Sequence, residues 1–149
     1  MTEYLETKVD KFTFKVATDR YYNDQGMWAS IDENIVRVGF SDFVQQRNGD
    51  VAFVDVKPAG TPLTVNDEVV AIETIKVTIA YNSPVTGKIV RVNPTMDSTP
   101  EVINQNPYGE GWIAEIEVPD WEKDRARLLD AQAYFVQMKR EAEEEAKKL

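Results

Sequence analysis

One lysine of this 149-residue chain stands where a side chain could carry a covalently attached group. Lys76 lies in the segment Glu73-Thr74-Ile75-Lys76-Val77, between two apolar runs that read as β-strands, 68–72 and 77–81. The turn signal Asn-Ser-Pro at 82–84 follows the second run. We therefore predict a hairpin with Lys76 at its bend and its ammonium group in water. A lysine held in this way can present an attached cofactor to other proteins.

Chemistry by the protein's own side chains is restricted because the chain contains neither cysteine nor histidine. Without cysteine the chain can form no disulfides and offers no thiolate metal ligands. Without histidine it lacks the commonest general base and the commonest metal ligand. A nucleophile–base pair of the usual kind cannot be built without them. A carboxylate pair or an oxygen-ligand metal site stays open, but no spacing indicates either. We expect a non-catalytic protein with no metal site.

The charge distribution bears on the partners of the protein. The formal net charge is −9, of which residues 1–119 contribute −8 and residues 120–149 contribute −1. An acidic body disfavours nucleic acid and anionic membranes and favours basic patches on partner proteins. No apolar run approaches the roughly 20 residues of a membrane span, and the N-terminus lacks a secretory pattern. These features, with the absence of cysteine, predict a cytoplasmic protein.

The elements that must position Lys76 are short strands separated by turns every 8–12 residues, a spacing typical of a sandwich or small barrel. A short helix is predicted at 41–46, where Ser41 is a suitable N-cap and Asn48-Gly49 a suitable end. From Asp120 onward the apolar spacing changes to that of a helix. Residues 139–149 are polar on all sides, so we predict a solvated helical tail there. The whole chain, 1–149, is predicted to be a single domain.

Several segments, taken in order, resemble one known family. The matching stretches run from about residue 35 to 135 and keep their order and spacing, which makes the agreement specific. They are Val38-Gly39-Phe40-Ser41-Asp42-Phe43, the strand 49–56, Glu73-Thr74-Ile75-Lys76, the stretch 83–93, Pro100-Glu101-Val102-Ile103-Asn104, the loop 106–113 and the helix start 128–134. Together they resemble the H-protein of the glycine cleavage system, a lipoyl-carrier family.

The resemblance implies a mostly β, hybrid barrel-sandwich fold like that of lipoyl domains, with short helices and a C-terminal helix. It also implies lipoate joined by an amide to Lys76, so that the dithiolane ring carries the chemistry and the protein supplies position and recognition. Glu73 matches the acidic residue of the family's modification hairpin, and its implied role is to help a partner recognise that hairpin. Gly87 is expected to permit the tight turn that sets the hairpin's register.

The partners that the resemblance implies are a lipoate ligase or lipoyl transferase and a dihydrolipoyl dehydrogenase. In glycine cleavage the arm would carry an aminomethyl group between glycine decarboxylase and an aminomethyltransferase. In a sulfur-oxidising, heterodisulfide-reductase-like system it would carry sulfur. The chain departs from the family at 24–28, where Asp-Gln-Gly-Met-Trp replaces the usual His-Glu-Trp. That departure and the altered loops favour the sulfur-oxidation system.

Two further readings remain. The chain could be an unmodified binding or scaffold protein that keeps the fold. Biotin attachment is disfavoured because a biotinylated lysine is usually flanked by Met on both sides, whereas Ile75 and Val77 flank Lys76.

Overall fold

Alternating apolar residues fold about half of the chain between residues 4 and 117 into strands. The computed structural model describes residues 2–148. Its strands are β1 (Tyr4–Val9), β2 (Phe12–Ala17), β3 (Tyr21–Tyr22), β4 (Met27–Asp32), β5 (Ile35–Phe40), β6 (Val51–Val56), β7 (Pro62–Leu63), β8 (Glu68–Thr74), β9 (Thr78–Asn82), β10 (Gly87–Val92) and β11 (Ala114–Glu117).

The helices are short except for the last, and their ends follow local capping chemistry. Ser41 accepts a hydrogen bond from the Val44 N–H at the start of the first helix, which ends at Gly49 with a φ of 85°. Asp130 caps the last helix by accepting from the Ala133 N–H. The helices are α1 (Asp42–Asn48), α2 (Thr95–Ser98), α3 (Val102–Gln105), α4 (Trp121–Arg125) and α5 (Ala131–Lys147).

Two sheets enclose the main core. One has the strand order β3-β4-β5-β11-β10-β7, and the other has the order β6-β8-β9. The alternate residues that these strands turn inward are fully or almost fully buried, and they include Val38, Phe40, Val70, Ile72, Tyr81, Ile89 and Ile116. Burial of these side chains is the main favourable term in folding. The predicted mostly β barrel-sandwich with short helices and a C-terminal helix is confirmed.

A second core joins the N-terminal β1–β2 hairpin to α1 and α5. Phe14 packs edge-on against Phe43 with ring centroids 5.4 Å apart, and Tyr22 stacks on Tyr134 at 4.4 Å. The hairpin is also tied to α1 by polar contacts, since Gln46 Nε2 donates to the Thr13 carbonyl at 2.9 Å. β1 and β2 are joined by a tight turn in which Asp10 has a left-handed φ of 56°.

Two tyrosines that contact β2, the buried Tyr22 and the half-buried Tyr108, keep their hydroxyls hydrogen-bonded. Tyr22 Oη donates to the Ala17 carbonyl at 2.7 Å, and Tyr108 Oη donates to the Lys15 carbonyl at 2.8 Å. Burial raises the pKa of Tyr108 to about 12 and raises the pKa of Tyr22 further above its ordinary range. Both therefore stay neutral donors at physiological pH and fasten the N-terminal hairpin to the body.

The C-terminal region divides into two helices instead of one. Residues 126–130 separate α4 from α5, and Leu129 pairs with Tyr22 through two backbone hydrogen bonds of 2.8 and 2.9 Å.

The segment 139–149 that we predicted as a solvated helical tail is helical as far as Lys147, and most of its described side chains are exposed. Ala142 is an exception, because it is buried against the second core. Across residues 2–148, no helix combines the length and hydropathy that a membrane span requires.

Candidate cofactor-attachment site

Lys76 lies at the tip of the β8–β9 hairpin, as the sequence predicts. The strands pair antiparallel up to Glu73 and Thr78, and the Thr74 N–H donates to the Val77 carbonyl at 2.8 Å to close the link. Thr74 is buried, and its Oγ1 accepts from the backbone N–H groups of Lys76 and Val77, each at 3.1 Å. Such side chain-to-backbone bonds are typical of threonine in tight turns. They fix the backbone from which the lysine projects.

The surroundings of Lys76 leave its side chain reachable. Lys76 is exposed, and its neighbour Ile75 is 98% exposed. None of the ion pairs found among residues 2–148 includes Lys76. The stem passes close to Gly49, where an added Cβ atom would lie 3.7 Å from Lys76 Cε. The primary amine is therefore neither packed inside the protein nor held by a carboxylate.

Glu73 lies on the outer face of the three-stranded sheet, close to the same tip. Its cross-strand neighbours in register are Phe53 on β6 and Thr78 on β9. All three residues are exposed, and Phe53 is 69% exposed, which is unusual for a large aromatic side chain. The structure thus brings Glu73 and Lys76 to one end of the hairpin. It adds Phe53, which the sequence did not single out.

The arrangement around Lys76 suits amide formation with an acyl group. A free lysine amine at an exposed tip can react without the loss of a structural ion pair. The amide is neutral, so the attached chain can lie against apolar surface without burying an ammonium. In the part of the chain that the structure describes, no cluster of three or more acidic residues could hold a metal ion.

Gly87 has a different role from the expected one. It begins β10 and is not in the Lys76 turn. A Cβ atom there would come within 2.1 Å of the Glu117 carbonyl oxygen on β11. Glycine is therefore required for the close approach of two strands in the six-stranded sheet, and the prediction of a turn role was wrong.

A mostly β sandwich with an exposed lysine at a hairpin tip is the arrangement expected of carrier domains that are modified on lysine. Comparison with known families is consistent with this class. The family model described as "Glycine cleavage H-protein" matches residues 20–141. The chain belongs to the glycine cleavage H-protein family, whose members carry lipoate covalently attached to a lysine.

Curated relatives and a solved structure agree with this assignment. The "Probable glycine cleavage system H protein 1" of Sulfolobus acidocaldarius is 32% identical over 126 residues, which cover 85% of this chain and 91% of the relative. The glycine cleavage system H protein of Symbiobacterium thermophilum is 39% identical over 119 residues, covering 80% and 92%. The crystal structure of the corresponding protein from Mycobacterium marinum superposes with a TM-score of 0.74 at 27% identity, covering 80% of this chain and 96% of that one.

Proposed function

We propose that Lys76 carries lipoate in amide linkage and that the protein is a non-catalytic carrier whose arm moves between partner enzymes. The observation that supports this most is the exposed amine at the hairpin tip, free of ion pairs among residues 2–148, in a chain of the H-protein family. When attached, the lipoyl group supplies disulfide–dithiol chemistry that this chain lacks, since it has no cysteine.

The chain's own residues position the arm. Thr74 holds the turn through its hydroxyl, so the Lys76 backbone has one orientation from which the side chain swings. Glu73 offers a carboxylate on the outer face, and Phe53 and Ile75 offer apolar area beside it. A lipoate ligase or lipoyl transferase that reaches Lys76 Nζ must cover these side chains. We propose that Glu73 helps such an enzyme recognise the hairpin.

The system that the carrier serves is the second part of the proposal. The relatives reported above are named for glycine cleavage, and this favours glycine decarboxylase and an aminomethyltransferase as partners, with dihydrolipoyl dehydrogenase reoxidising the arm. A sulfur-oxidising, heterodisulfide-reductase-like system is the second candidate. It is favoured by the absence of histidine at 24–28 and by the N-terminal hairpin, which precedes the residues that match the family. The relatives do not bear on that candidate.

Reconstitution separates these two systems. The lipoylated protein is supplied to purified glycine decarboxylase, and glycine-dependent release of CO₂ is measured with Lys76→Arg protein as the control. A glycine cleavage carrier supports release that the control does not support. Failure with this enzyme, together with reduction of the arm's disulfide by a heterodisulfide-reductase-like complex, would assign the protein to the sulfur system.

A further inference from the structure

The β1–β2 hairpin is a two-stranded sheet of its own, so each of its strands has an outer edge. The Thr18 N–H donates to the Glu3 carbonyl at 2.9 Å, in line with the register of the two strands. Bonded and non-bonded pairs alternate along an antiparallel ladder, so the odd-numbered residues of β1 bond to β2. The backbone groups of Tyr4, Glu6 and Lys8 therefore point away from β2, along the outer edge of β1.

The outer edge of β2 is closed by side chains from the rest of the protein. The Lys15 N–H donates to the Asp42 carboxylate at 2.9 Å, and the Lys15 carbonyl accepts from Tyr108 Oη at 2.8 Å. The Thr13 carbonyl accepts from Gln46 Nε2 at 2.9 Å. No further strand can pair at this edge without displacing these bonds.

The outer edge of β1 is open. None of the hydrogen bonds found among residues 2–148 uses the backbone groups of Tyr4, Glu6 or Lys8. The side chains of these residues are exposed, while the opposite face of the hairpin packs on α5, where Val9 and Ala142 share one core. A row of free donors and acceptors is a template for another strand. β1 precedes residue 20, where the family match begins, so family membership does not imply this edge.

The charges on β1 indicate which strand fits. When two copies of β1 run antiparallel with Thr7 opposite Thr7, Glu6 of each copy lies opposite Lys8 of the other. Opposite charges that face each other across a sheet stabilise the pairing, and like charges destabilise it. A pairing centred on Glu6 or on Lys8 sets that charge against itself. The charge pattern therefore favours self-pairing in the register centred on Thr7 over the registers on either side of it.

We propose that the outer edge of β1 is a dimer interface between two copies of this chain. Pairing produces a four-stranded antiparallel sheet in the order β2-β1-β1-β2, with a two-fold axis at Thr7. Four backbone hydrogen bonds join Glu6 and Lys8 of each copy to Lys8 and Glu6 of the other. One strand pair buries less than the roughly 1,600 Å² of a standard interface, so the dimer is weak and depends on concentration. Lys76 takes no part, and the inference is independent of the proposed lipoylation.

The test uses sedimentation velocity on the full, unmodified chain between about 10 μM and about 1 mM, a range that covers weak association. Glu6→Lys and Lys8→Glu each place like charges opposite one another in the proposed register, and the double exchange restores opposite charges. Glu143→Lys and Lys139→Glu, at exposed positions of α5, are the matched controls. Amide hydrogen exchange at Glu6 and Lys8 reports on the edge itself. The Thr7 amide, which bonds to β2 with or without a second copy, is the internal reference.

We expect the wild-type chain, both controls and the double exchange to form a dimer whose fraction rises with concentration. Each single variant of β1 should stay monomeric alone, whereas an equal mixture of the two should form a dimer, which also shows that both variants are folded. Exchange of the Glu6 and Lys8 amides should slow at least about fivefold in the dimer, because both become hydrogen-bonded.

Three results would overturn the proposal. The first is a wild-type chain that stays monomeric throughout the range. The second is a dimer in which the Glu6 and Lys8 amides exchange as fast as in the monomer, because the interface then lies elsewhere. The third is a pair of single variants that dimerise as the wild type does, or that fail to associate when mixed.

Discussion

The hydroxyl of Thr74 accepts hydrogen bonds from the backbone N–H groups of Lys76 and its successor Val77, each at 3.1 Å. One buried side chain therefore sets the geometry of the turn that presents the exposed lysine. These two bonds hold the backbone of the turn from within the hairpin itself. They also give a way to disturb the tip without touching the lysine.

Thr74→Val removes that hydroxyl and keeps the shape of the side chain. We expect a loss of about 1 kcal/mol in the free energy of unfolding, because two backbone donors lose their acceptor. We also expect a lower kcat/KM for lipoylation, because the lysine is held less well. Urea denaturation and a ligase assay measure the two effects. Thr74→Ser keeps the hydroxyl and serves as the control; equal losses in both variants would contradict the role of the hydroxyl.

Glu73→Gln tests recognition of the hairpin by the modifying enzyme. The carboxylate is exposed and outside the ion pairs found among residues 2–148, so we expect a change in stability within about 0.5 kcal/mol. We expect kcat/KM for lipoylation to fall about fivefold, because a charge at the rim of an interface governs encounter. Glu117→Gln, on an exposed residue of β11, is the matched control. Identical kcat/KM values for the two variants would leave Glu73 as an ordinary surface charge.

Tyr81→Phe tests the polar contact in the core below the hairpin. Asn48 Nδ2 donates to Tyr81 Oη at 2.7 Å, and both residues are buried. Loss of the hydroxyl leaves the Asn48 donor without its partner, which we expect to cost about 1–3 kcal/mol in thermal or urea unfolding. Tyr4→Phe, at a residue that is 45% exposed, should cost much less. A similar small cost at both positions would show that Asn48 finds another acceptor.

Glu141 on α5 gives a prediction on pH. Burial raises the pKa of this carboxyl above its ordinary value of 4.5. The folded state then binds the proton more tightly than the unfolded state, so this group lowers stability as pH rises through the folded pKa and has no effect below the ordinary value. Glu141→Gln should therefore raise the free energy of unfolding at about pH 7.5 and leave it unchanged at about pH 3.5. Glu143→Gln, at an exposed neighbour, is the control; a gain at the lower pH would contradict the assignment.

The hairpin and its lysine could be predicted from the sequence because local signals agree there. Lys76 lies between two strand-like runs, and a turn signal follows the second run. These patterns predict two strands with a reversal between them, which places Lys76 at the tip. The helix at α1 was predicted for a similar reason, since Ser41 and Gly49 mark its ends. Periodicity and capping are local properties, and they do not require knowledge of distant contacts.

The N-terminal hairpin and its contacts with α5 could not be predicted in the same way. The partner strand β1 is polar on its exposed side, and its register with β2 depends on packing against α5 across more than a hundred residues. Ala142 reads as part of a charged helix end, yet the contact with that distant hairpin buries it. Gly87 gives no local sign that β11 approaches it, so its role was also missed. Each case depends on a contact between segments far apart in sequence.

The claim that Lys76 is the attachment site is tested most directly by intact mass after incubation with lipoate and a lipoate ligase. We predict that the wild-type chain gains the mass of one lipoyl group, that peptide mapping places it on Lys76, and that Lys76→Arg gains nothing. Unmodified wild-type protein, or a gain that persists in Lys76→Arg, would contradict the account and favour an unmodified binding protein or a different attachment site.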